Sequence, residues 1–119
     1  MFFMVISLEP PTAELCCTSL AGQPLAEGDA DELAAILKAV ADPVRLRLIS
    51  IIASSTNGEA CACDLPELVE RSQPTTSHHL GQLIKAGIVE REQRGKWAWF
   101  RLRPQRLEAL GQLLSSGCC

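Results

Sequence analysis

Two helix starts stand eight residues apart in this chain, and that spacing points to a helix-turn-helix. Asp64-Leu65-Pro66-Glu67 reads as a capping box, with Asp64 as N-cap and Glu67 three residues on. Pro66 is tolerated in a first helical turn but not in a helix interior, so this helix begins at about Asp64. It ends near Arg71, because Ser72 caps a second helix over 73–86 that stops at Gly87. The start of that second helix, Ser72-Gln73-Pro74-Thr75-Thr76-Ser77-His78-His79-Leu80, is rich in short polar donors and acceptors. Such side chains suit phosphates and base edges in a major groove. Leu80, Leu83 and Ile84 are expected to hold its other face to a core.

The flanking elements complete a small domain. A helix is expected over 29–41, capped by Asp29 or Asp31, with Leu33, Ile36, Leu37 and Val40 as its apolar stripe. Asp42-Pro43 ends it and starts the next helix, Asp42 as N-cap and Pro43 at the first position. Val44, Leu46, Leu48, Ile49, Ile51 and Ile52 give that helix a broad buried face. Residues 59–63 read as short and extended. Residues 88–102 read as a hairpin, with strands at 88–92 and 97–102 and a turn at 93–96 that carries Arg94 and Lys96. A basic hairpin beside a recognition helix is a wing, placed to meet the DNA backbone. Pro104 begins a last helix with Leu107, Leu110, Leu113 and Leu114 on its apolar side. The expected fold is therefore mostly α with a β-hairpin wing, in the order α-α-α-α-β-β-α. Residues 1–28 read as a flexible arm punctuated by Pro and Gly, 29–114 as the folded domain, and 115–119 as a tail.

Charge supports a nucleic-acid reader once it is mapped. The 119-residue chain carries a formal charge of −3, but residues 1–70 hold −8 and residues 71–119 hold +5. No stretch is long and apolar enough to span a bilayer, and the opening six residues lack the basic flank of a signal peptide. A cytoplasmic location, with no membrane partner, is the expectation.

The runs Ala41-Asp42-Pro43-Val44-Arg45-Leu46-Arg47-Leu48 and 72–80 together resemble the ArsR/SmtB family of metal-responsive repressors. The resemblance covers roughly residues 29–114. It implies a winged-helix homodimer with the first and last helices at the seam. It implies that Gln73, Thr75, Ser77 and His78 face operator DNA, with Arg94 and Lys96 on the wing. The operator would be an imperfect inverted repeat.

Six cysteines fall in three pairs: Cys16-Cys17, Cys61-Ala62-Cys63 and Cys118-Cys119. In a reducing compartment, paired thiols point to soft-metal capture or redox sensing. If 59–63 is extended, Cys61 and Cys63 point the same way, because strand side chains repeat every two residues. Cys61-Ala62-Cys63-Asp64-Leu65 resembles the sensor box that some family members carry at their third helix. Arsenite takes three ligands, so Cys16 and Cys17 are candidates for the remainder. The 11 arm residues that follow Cys17, 18–28, reach up to about 36 Å. The resemblance implies a third thiol drawn from the partner subunit, and the expected site is Cys16 and Cys17 of one chain with Cys61 or Cys63 of the other. His78 and His79, adjacent on a helix, diverge by about 100° and chelate one ion poorly. The last helix lacks the Asp and His spacing of a seam zinc site. No phosphate loop, paired acids or Cys–His pairing by motif suggests an enzyme. The reading is a repressor released by arsenite or antimonite. The alternatives are a cadmium or lead inducer on the same fold, and a thiol-based redox switch.

Overall fold

A computed structural model describes residues 24–114, so Cys16, Cys17, Cys118 and Cys119 lie outside the described residues. The described residues divide into two compact units, 36–103 and the flanking segments 24–35 with 104–114.

The larger unit begins within α1 (Glu27–Val40) and continues into α2 (Pro43–Ser54). Asp42 caps α2 as expected. Its backbone is extended, and its carboxylate accepts from the N–H groups of Val44 at 2.8 Å and Arg45 at 3.1 Å. Val44, Leu48 and Ile52, four residues apart, form the buried stripe. Leu46 departs from the expectation and stands 54% exposed. It lies two residues from Leu48, about 200° around the helix, and so faces away from the stripe.

A short 3-10 turn, Thr56–Gly58, leads into β1 (Glu59–Cys61). Then come α3 (Leu65–Val69), α4 (Gln73–Lys85), β2 (Val89–Arg94), β3 (Trp97–Leu102) and α5 (Pro104–Leu114). The hairpin is present, and β1 adds a third strand that the sequence reading left unpaired. The antiparallel order is β1-β3-β2, with Ala60 opposite Phe100 and Cys61 opposite Trp99. Gly95, at φ +63, supplies the left-handed backbone of the hairpin turn. Arg94 is the last residue of β2, paired with Trp97, and not part of the turn.

Two helix starts differ from expectation. Asp64 does not cap α3: its backbone is right-handed helical and its side chain accepts no capping hydrogen bond. The cause is the preceding turn, in which the Asp64 N–H donates to the Cys61 carbonyl at 3.0 Å. That closes the extended stretch at Cys61, so Cys63 sits in a turn and not in a strand. In the smaller unit α1 starts at Glu27, which places Asp29 and Asp31 inside it. Its described part buries Leu33, and α5 buries Ala109 and Leu110. Glu32 faces Arg106 at 3.8 Å. Burial nevertheless raises the Glu32 carboxyl to about 7, against the opposing pull of Arg106.

The core of the larger unit joins Leu48 and Ile52 of α2, Leu65 and Val69 of α3, Leu80 and Leu83 of α4, and Ile88, Val89 and Phe100 of the wing. Each such side chain contributes roughly 1.5–3 kcal/mol on full burial. Ile84, expected inside, is 36% exposed. The C-terminal carbonyls of α3 have a dedicated partner. The Arg47 guanidinium donates to Val69 O at 3.1 Å and Leu68 O at 3.4 Å. Among the described residues, no helix is long and apolar enough to cross a membrane.

Candidate nucleic-acid interface and thiol site

Ser72 fixes the start of α4. Its backbone is extended and its hydroxyl accepts from the Thr75 N–H at 3.3 Å, as an N-cap requires. The helix then buries Thr76, Leu80 and Leu83. The same periodicity leaves Gln73, Thr75, Ser77 and His78 exposed. Thr75 shares a hydroxyl hydrogen bond with Ser72 at 3.0 Å. The His78 and His79 rings meet edge to face, centroids 5.5 Å apart. Unsatisfied N–H groups and the positive end of the dipole favour anions at such a helix start.

A cleft of about 440 Å³ separates the start of α4 from the wing. Gln73 and Ser77, one helical turn apart, line one wall; Arg91, Gln93 and Lys96 line the other. Cys63, exposed in the turn before α3, opens into the same cleft. The sequence reading missed Arg91 and Gln93, although strand alternation places both on one face of β2. Lys96 is exposed in the hairpin turn and, among the described residues, engages in no hydrogen bond or ion pair.

Arg94 has a different setting from Lys96. Its guanidinium meets both Glu59 carboxylate oxygens at 2.8 Å and Glu92 at 2.9 Å. It also lies over the Trp99 ring, 5.0 Å from the centroid. Arg101 extends the lattice to Glu90 and Glu92, each at 2.8 Å. The Arg94 hydrogen bonds hold the Glu59 carboxyl below its ordinary range. Arg94 and then Arg101 bring Glu92 down to about 2, and the carboxylates raise Arg94 in turn.

The two central cysteines come together, as a disulfide and not as the free thiols expected from the sequence. Cys61 bonds to Cys63 across a turn with a Cα–Cα distance of 5.1 Å, within the ordinary disulfide span. Cys61 is 3% exposed, and the Cys63 N–H donates to its sulfur at 3.1 Å. The turn, not an extended strand, brings the sulfurs together. Among the described residues no group of three or more His, Cys, Asp or Glu side chains is arranged to hold a metal ion. The expected partners Cys16 and Cys17 lie outside the described residues.

The pattern described as bacterial regulatory protein, arsR family, matches residues 42–91, from the cap of α2 into β2. The chain is 36% identical over 84 residues to an HTH-type transcriptional regulator of Methanocaldococcus jannaschii, covering 71% of this chain and 92% of that protein. It is 37% identical over 83 residues to the arsenical resistance operon repressor of Staphylococcus xylosus, covering 70% of this chain and 77% of that one. Among solved structures it resembles Mb0332 of Mycobacterium bovis, described as a homodimeric winged helix-turn-helix DNA-binding domain. The TM-score is 0.61 and the identity 26%, over 76% of this chain and 87% of that chain. The fold, the α3–turn–α4 arrangement with its wing, and this extent of likeness place the chain in the arsR family of bacterial regulatory proteins, which are DNA-binding transcriptional regulators and not enzymes.

Proposed function

We propose that this repressor binds an imperfect inverted-repeat operator as a homodimer and is released when cysteine thiols capture arsenite or antimonite. One observation carries the reading. Cys61 and Cys63 meet in the turn that starts α3, and Cys63 opens into the cleft that holds Gln73 and Ser77. An inducer bound there adjoins the surface that would read DNA. The name of the Staphylococcus xylosus relative supports the inducer class, and the homodimeric description of the Mycobacterium bovis structure supports the assembly.

The chemistry requires the disulfide to be reduced to two thiols, by a dithiol reductant or the cellular thiol pool. Three thiols then each condense with one hydroxyl of arsenous acid, each forming an S–As bond and releasing water. The three are Cys16 and Cys17 of one subunit and Cys61 or Cys63 of its partner. Gln73, Thr75, Ser77 and His78 contact the major groove, and Lys96 and Arg94 approach the backbone. A second reading rests on the disulfide itself: closure by an oxidant would make the same pair a redox switch, without a metalloid. Cadmium or lead on four thiols is the remaining alternative.

Operator release by the reduced protein against arsenite, antimonite, cadmium, lead and peroxide separates these readings. Arsenite should weaken operator binding by roughly tenfold or more, within the usual range of allosteric coupling. Replacing Cys61 and Cys63 together by serine should leave operator affinity intact and abolish release. Release by peroxide alone would favour the redox switch, and release by cadmium alone the divalent-ion reading.

A further inference from the structure

Arg94 stands on the wing, yet its guanidinium is saturated by carboxylates. Glu59 binds it through two parallel hydrogen bonds at 2.8 Å. That is the geometry in which a guanidinium also grips a phosphate. Lys96, two residues away, is exposed without such a partner among the described residues. A phosphate contact by Arg94 therefore requires it to exchange one anion for another.

Glu59 is well placed to govern that exchange. It belongs to β1, paired with Arg101 of β3, and its side chain is only 18% exposed. Glu92, the other partner of Arg94, is shared with Arg101 and is 45% exposed. Glu59 is also two residues from Cys61 on the same face of β1. Cys61 lies opposite Trp99, the ring beneath Arg94.

We infer that Glu59 is a positioning residue that occupies Arg94 as a phosphate surrogate in the DNA-free protein and gives it up to the DNA backbone on binding. Because β1 carries both Glu59 and Cys61, a change at the thiol turn alters the same exchange. This last link rests on the proposed thiol-triggered release; the exchange itself does not.

The test is the salt dependence of duplex binding by the full chain and its Glu59→Gln variant. Binding is measured on the operator and on random duplex, from 50 to 200 mM salt. Arg94 reaches a phosphate in both proteins, so Glu59→Gln should bind both duplexes more tightly at a nearly unchanged salt slope, whereas Arg94→Ala should lower the slope by about one contact. Arg94→Ala should abolish the gain in the Glu59→Gln background. Glu59→Ala gives a second removal of the carboxylate, and thermal melting of each variant identifies any that fails to fold. No gain in folded Glu59 variants, a gain that survives Arg94→Ala, or a slope that Arg94→Ala leaves unchanged would overturn the inference. Arsenite release of the parent is read in the same assay. Its absence would sink the proposed inducer while leaving the Glu59 result to stand or fall on the affinity gain and its dependence on Arg94.

Discussion

Asp42-Pro43 and Asp64-Leu65-Pro66 look alike as sequence, an aspartate just ahead of a proline-bearing first turn, yet the molecule uses them differently. Asp42 sits in extended backbone at φ −152°, ψ 130° and accepts two backbone N–H groups. Asp64 sits at φ −99°, ψ −24° and accepts none at its helix. A cap must leave the helical region of the backbone to turn its side chain back on the first N–H groups. Asp42 has that freedom because it follows the end of α1. Asp64 lacks it because it closes the turn that brings Cys61 and Cys63 together. The start of α2 is a local matter of capping. The start of α3 is set by the turn and by what Leu65 buries.

The largest expected effect tests what holds α3 in place of a cap. Leu65, its first residue, is fully buried. Leu65→Ala should destabilise the fold by about 2–5 kcal/mol, the cost of truncating a well-packed core leucine. Urea unfolding of the parent and variant measures it. A loss no larger than that of a surface substitution would mean that α3 is not anchored through this side chain.

Ser72 offers the middle case, since it caps α4 by the same geometry as Asp42. Ser72→Ala should cost about 1 kcal/mol, whereas Asp64→Ala should stay within about 0.5 kcal/mol, as for a surface position. The measurement belongs at about 1 M salt, where the Debye length is about 3 Å and attraction of Asp64 to the α3 dipole is screened. Equal losses for the two variants would break the distinction between a capped and an uncapped start.

The same distinction explains how much of the molecule was legible in its sequence. Asp42, Ser72 and Gly87 act through neighbours within a few residues, so their roles could be read directly. The hairpin followed from alternation, and the arsR-family motifs gave the fold. Leu46 and Ile84 were misplaced because apolar character does not fix angular position at the edge of a stripe. The pairing of β1 with β3 and the partner of Arg94 were hidden for another reason. Glu59 and Arg94 are 35 residues apart, and only the folded sheet brings them together. Of the candidate site, the exposed face of α4 was legible. The turn that joins Cys61 to Cys63 was not, because its geometry competes with a capping box that the letters also spell.

The smallest effect lies in the acid limb of stability. Hydrogen bonds from the Arg45 N–H first, and then from Val44, hold the Asp42 carboxyl below its ordinary range, against the opposing effect of burial. Folding therefore favours the ionised form. The resulting stability is fully present above the unfolded-state value, about 3.9 for an aspartate, and is lost as the pH falls through the lower folded-state value. Asp42→Asn keeps a capping oxygen but cannot titrate. Its melting temperature should thus fall less steeply than the parent's as the pH drops below about 4. The readout is the difference in melting temperature between the variant and the parent across the acid range, which removes the titration common to both proteins. An acid limb for Asp42→Asn as steep as the parent's would show that the Asp42 carboxylate is not coupled to the start of α2, and would remove the charge of the cap from the contrast between the two starts.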